Sequence, residues 1–146
     1  MHGTGAAERH QRIASRIAAF LGEVLAVHGQ KMELDTLLEV LDLEEEPANE
    51  AIDKMRASGL LSLQETIDQV HLMFHHGLFA DVLYRDLEDE RRATLHRTIA
   101  EALESRYAHA PGAAELVGEH YRRAGDAGKA FHYLGTAAAR ALEKGM

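Results

Sequence analysis

The sequence predicts a mainly α-helical chain in two parts, with one small β-hairpin set between stretches of helix. Three observations carry that expectation. Aromatic residues make up 5% of the 146 residues, while alanine and leucine, both strong helix formers, are abundant. Apolar residues recur at three- and four-residue spacing along most of the chain. Between Leu61 and Phe74 that spacing gives way to alternation, the period of a half-buried ribbon.

Composition narrows the function classes. A chain of this length can bury one good core or two small ones. No stretch reads as long and apolar enough to span a bilayer. The absence of cysteine excludes a disulfide framework and a thiolate zinc site, and suits the cytoplasm. Met1 to Ala6 lacks the basic stretch and apolar run of a secretory signal and reads as a tail. A formal charge of −8 opposes a main task of gripping nucleic-acid backbone.

The first helix is expected from about Ala7 to His28, with Ile13, Ile17, Phe20, Leu21, Val24 and Leu25 as its apolar stripe. Arg9, Arg12 and Arg16 fall on its wet side, as a contact for phosphate or an acidic partner or simply as a solvated face. Gly29 ends it in a left-handed turn. Lys31 to Leu34 is short and extended. A second helix follows, capped near Asp35 or Thr36, with Leu34, Leu37, Leu38 and Leu41 on one side. Pro47 suits the first position of a third helix reaching Ser58, with Ala48, Ala51, Ile52 and Met55 inward. Gly59 closes it.

Leu61 and Leu63, then Val70, Leu72 and Phe74, form the hairpin, turning over Thr66 to Gln69. Helix, short strand, helix, helix, hairpin is the winged-helix order, which places that domain at residues 1–75. Beyond it, residues 76–146 read as antiparallel helical hairpins. Leu78, Phe79, Val82 and Leu83 give a short helix from about His76 to Arg85. Asp86 can cap a long helix with Leu95, Ile99, Ala102, Leu103 and Tyr107 inward and acidic residues in its first turn, where the helix dipole favours them. Pro111-Gly112 breaks it.

In the closing stretch Val117, Gly118, Tyr121, Gly125, Ala130, Leu134 and Ala137 fall at the spacings of a tetratricopeptide repeat. Small residues let two helices approach, the tyrosine fills the gap, and Gly125-Asp126 turns the corner. Ala114 stands where that pattern has tryptophan, and Leu142 near its terminal proline, so an unrelated helical hairpin is the alternative. A lone repeat cannot bury its own face, so the chain is expected to be a segment of a larger protein. Leu134, Ala138 and Leu142 would then stay partly uncovered, a surface for homo-oligomer formation through the C-terminal helix.

The sequence offers little that resembles a catalytic pattern. It carries no phosphate loop of the G-x-x-x-x-G-K-[ST] type, no G-x-S-x-G elbow and no thiol nucleophile. Ten histidines raise a metal question. His71 and His75 are four apart on an expected strand, about 13 Å along one face. His75 and His76 point apart, and His120 and His132, on two helices of the repeat, could meet. No H-E-x-x-H or convergent carboxylate joins them, so neither a metal site nor an enzyme is expected.

A DNA-reading winged helix needs arginine, lysine, asparagine or glutamine on its third helix. Here the approach and outer face carry Glu44, Glu45, Glu46, Glu50 and Asp53 against Lys54 and Arg56, with Asn49 as the one base reader. The wing adds Glu65 and Asp68. This acidity fits a protein-interaction or latch module better, and DNA binding stands as the alternative.

The order Leu60-Leu61, a hairpin ending in Phe74, His76-x-Leu78, Val82-Leu83-Tyr84-x-x-Leu87, Arg91-Arg92-x-x-x-Leu95-His96-x-x-Ile99-Ala100 and Tyr121-x-x-Ala124-Gly125-Asp126 resembles the segment following the ATPase core in bacterial STAND-type regulators. These signal-transducing NTPases include large ATP-binding transcription regulators and fusions to adenylyl cyclase or protein kinase domains. The resemblance covers roughly Leu34 to Leu142. It implies a non-catalytic regulatory segment, a winged helix leading into a helical array that senses a ligand or protein partner. It also implies that His76, or His75 in a shifted register, contacts the β-phosphate of ADP held by the parent protein's own ATPase domain. The other reading of His76 is a cap on the junction between hairpin and helix. Further helical repeats of the parent would be the remaining partners, with no cofactor bound by this segment and ADP or ATP bound by the parent.

Overall fold

The computed structural model describes residues 2–29, 31–107, 109–110 and 112–145. Among the described residues the chain is mainly helical, with a small three-stranded antiparallel sheet. It divides into two compact units, Met1–Asp86 and Leu87–Met146, each with its own core.

In the first unit α1 runs His2–His28, so residues 2–6 of the stretch expected as a tail belong to the helix. Its inner end is the centre of the core: Leu21, Val24 and Leu25 are buried almost completely. Gly29 follows at φ 81°, a left-handed backbone that glycine adopts without Cβ strain. The short strand β1, Met32–Glu33, leads into α2, Leu34–Leu41. Glu33 rather than Asp35 or Thr36 stands at its cap position, with no side-chain cap bond.

The buried side of α2 is also rotated from expectation. Thr36, Leu37, Val40 and Leu41 are inward, whereas Leu34 and Leu38 are half-buried. The helix is packed against both α1 and the sheet, so two neighbouring surfaces rather than one choose its inner side. Helix α3, Glu45–Ala57, begins two residues before Pro47; a proline in the first turn removes an N–H that has no intrahelical partner there. Ala48, Ala51, Ile52 and Met55 are its buried residues, as the spacing predicts.

Strands β2, Leu61–Glu65, and β3, Val70–Phe74, pair antiparallel with Leu61 opposite Phe74 and Leu63 opposite Leu72. Thr66 closes the turn through its N–H to the Gln69 carbonyl at 2.8 Å. Strand β1 pairs with the other edge of β3, Met32 opposite Leu72, so the sheet order is β1-β3-β2. Leu72, in the middle, is wholly buried.

Helix α4, Gly77–Asp86, packs on α1 and joins the first unit. The short helix expected from Leu78, Phe79, Val82 and Leu83 is present, and no residue of it is buried. Leu78 is 70% exposed and Val82 47% exposed.

The second unit is three helices: α5, Asp89–Tyr107; α6, Ala113–Arg123; and α7, Ala127–Glu143. Leu95, Ile99, Ala102 and Leu103 of α5 are buried against α6, while Tyr107 is half-buried. Pro111, the expected breaker, lies outside the described residues. Gly112 beside it has φ 83°. Among the described residues no helix is long and apolar enough to cross a membrane.

Candidate functional site

The sequence singles out two places, the junction between β3 and α4 and the α6–α7 pair. At the junction, β3 ends at Phe74 and the chain turns through His75 and His76 into α4. The His75 N–H donates to the Leu60 carbonyl at 2.9 Å, which ties the turn to the start of β2. Its imidazole Nδ1 lies 3.0 Å from Ser62 Oγ. The His76 carbonyl accepts from the Phe79 N–H at 3.1 Å, the first bond of the helical turn.

The rings gather at this point. His75 and His76 meet edge to face with centroids 4.6 Å apart. Phe79 lies 6.2 Å from His76 and 6.5 Å from Phe74. Both imidazoles remain exposed. The result is a surface with two histidines at its start and Leu78, Phe79, Val82 and Leu83 along the helix behind them. Leu83 also reaches α1: a Cβ added at Gly22 would sit 3.6 Å from its Cδ1.

The α6–α7 pair and its turn carry the seven sequence-selected residues. Val117, Tyr121 and Ala130 are buried. At Gly118 the helices approach closely: a Cβ there would meet Leu134 Cγ at 2.8 Å and the Leu134 backbone nitrogen at 3.1 Å. Leu134 and Ala137 are half-buried on the facing helix. Gly125 turns the corner at φ 85°, and the Asp126 carboxylate accepts from the Lys129 N–H at 3.0 Å, capping α7.

Tyr121 does more than fill a gap. Its hydroxyl donates to Glu104 of α5 at 2.8 Å, and its ring stacks on that of Tyr133, centroids 6.1 Å apart. Tyr133 donates to the same carboxylate, and Lys129 Nζ reaches it at 2.8 Å. Burial would raise the Glu104 carboxyl, but these three donors outweigh it and hold it below the usual range. Burial and the bond to Glu104 push the Tyr133 hydroxyl up to about 12.

His120 does not meet His132, which is exposed and stands edge-on to Tyr133. Its neighbour is His96 of α5, Nδ1 to Nδ1 at 2.8 Å, with both residues buried. Sequence reasoning gave no role to His96 or Glu104. Each acts across helices through a partner more than one turn away, which periodicity cannot reveal.

Among the described residues no three histidine, aspartate or glutamate side chains converge as a metal site. On α3, Glu45, Glu46 and Asp53 are exposed, as are Lys54 and Arg56. Glu50 is engaged by His10 at 2.8 Å and by Lys54 at 3.4 Å. Comparison with family models, with curated proteins and with solved structures found no match.

Proposed function

We propose that the chain is a non-catalytic regulatory module that works by protein contact, with the β3–α4 junction as its docking surface. In this reading the first unit is a winged helix and the second begins a tetratricopeptide-like array. Together they link the nucleotide state of a STAND-type signalling ATPase to a helical sensor. The observation that carries the reading is α4, an amphipathic helix that packs on α1 yet leaves Leu78, Phe79, Val82 and Leu83 exposed in part. Contiguous exposed apolar surface is characteristic of interaction sites, and Leu78, Phe79, Val82 and Leu83 supply it in one short helix.

The acidic outer side of α3 favours this reading over DNA binding, because a polyanion would be repelled where a major-groove reader needs donors. His76 stands at the start of α4, exposed, where an incoming nucleotide-bearing domain could be touched. An imidazole N–H bond to a phosphate oxygen contributes about 1.5–3 kcal/mol.

In a protein joining this chain to an ATPase domain, His76→Ala is expected to speed ADP release by roughly tenfold or more. The double change Leu78→Glu with Val82→Glu is expected to abolish docking of that domain while leaving the first unit folded. An unchanged ADP off-rate would remove the histidine latch. Unchanged docking in the glutamate variant would remove the α4 surface. Retardation of a random DNA duplex at low ionic strength, lost on adding salt, would favour the DNA-binding alternative.

A further inference from the structure

We propose that the paired imidazoles of His96 and His120 form an acid-release catch, which holds α5 to α6 at neutral pH and lets them part as the pH falls. The geometry sets the rule. The two Nδ1 atoms are 2.8 Å apart, so one must carry a hydrogen and the other must present its lone pair. His96 is 2% exposed and His120 4% exposed. A first added proton can go to the outer nitrogen of the donating ring and leave the bond intact. A second must go to the accepting Nδ1, which sets N–H against N–H at a separation where only a hydrogen bond is tolerated. The doubly protonated pair and the closed interface are therefore incompatible.

The surroundings do little to ease a charge on His96. Burial is the largest influence on His96, and the neighbouring cations are Arg92 on α5 and Arg122 and Arg123 on α6. Glu119, the nearby anion on α6, is held by Arg122 Nη2 at 2.6 Å and Arg123 Nε at 3.0 Å. Helix α7 packs on α6 and adds Lys129 and Tyr133, both bonded to Glu104. Exposed His132 is the other titratable group on its first half. Burial, with Arg123, Arg92 and Arg122, outweighs the opposing pull of Glu119 and lowers His96 to about 4.

Because the folded pKa is depressed, the folded unit binds fewer protons than the unfolded chain below about 6.5. The stability held by the pair is complete above that pH and drains away as the pH falls toward 4. For a single histidine moved from 6.5 to about 4, the folded-to-unfolded ratio drops roughly thirtyfold between pH 7.5 and pH 5.

Hydrogen exchange on the full chain, resolved to α5 and α6 and corrected for intrinsic rates, reads the catch directly. Protection there is expected to fall roughly thirtyfold from pH 7.5 to pH 5. It should become nearly independent of pH in His96→Phe with His120→Leu, which removes the titration and keeps apolar volume. An equal fall in that double variant would overturn the proposal. Should the variant fail to fold, side-chain nitrogen NMR of the unaltered chain decides. The catch requires one protonated and one bare Nδ1 at pH 7.5, with His96 resisting protonation until well below 6.5. Two rings titrating together near 6.5 with α5–α6 protection unchanged would refute it.

Discussion

The two units are built on opposite principles. The first closes around side chains with almost no polar content: Leu21, Val24, Leu37, Ile52 and Leu72 are buried, and Thr36 is the polar residue among them, its hydroxyl without a hydrogen-bond partner. The second satisfies polar groups across helices, buried ones in His96 with His120 and partly buried ones in Glu104 with two tyrosines and an exposed lysine. Apolar burial is strong but tolerant of geometry, whereas buried hydrogen bonds are modest in net stability and strict about position. The first unit should therefore be sensitive to lost volume, and the second to any change that shifts one helix along another.

Substitutions can break that contrast. Leu21→Ala should show the largest effect, about 2–5 kcal/mol from lost burial and the cavity left behind. Urea unfolding measures it, and hydrogen exchange should place the loss in α1 to β3. Gly118→Ala comes next, at about 1–3 kcal/mol, because the new methyl meets backbone as well as the Leu134 side chain. If it proves neutral, the close approach of α6 and α7 is not a constraint. Tyr133→Phe should be smallest, about 1 kcal/mol, because Glu104 keeps Tyr121 and Lys129. A loss as large as that of Leu21→Ala would mean that the polar cluster, and not the apolar contacts, holds the second unit.

The acid responses of the two kinds of group also separate. The pair of arginines holds the Glu119 carboxyl near 2, so the stability from that ion pair is present above about 4.5 and lost between there and 2. The histidine pair acts at higher pH. A titration with two distinct losses would tell them apart.

Much of this architecture was legible in the sequence because it is periodic. The alternation from Leu61 to Phe74 gave the hairpin, and Ala48, Ala51, Ile52 and Met55 gave the inner side of α3. Gly118 and Gly125 were recognisable by their spacing to Tyr121 and Ala130. At α4 the same periodicity predicts a helix correctly but cannot say whether an apolar side is covered. It misled at α2, where packing against two surfaces drew Thr36 and Val40 inward. His96 with His120, and Glu104 with its three donors, depend on contacts between helices distant in sequence, and no local pattern marks them.

The turn at Thr66–Gln69 has a practical consequence. Ile67 at its tip is fully exposed, while the closing bonds run between Thr66 and Gln69 on either side of it. Exposed loop tips of this sort accept inserted segments. A fluorescent or affinity tag grafted between Ile67 and Asp68 would thus report on the first unit while sparing its sheet, its α4 surface and both chain ends.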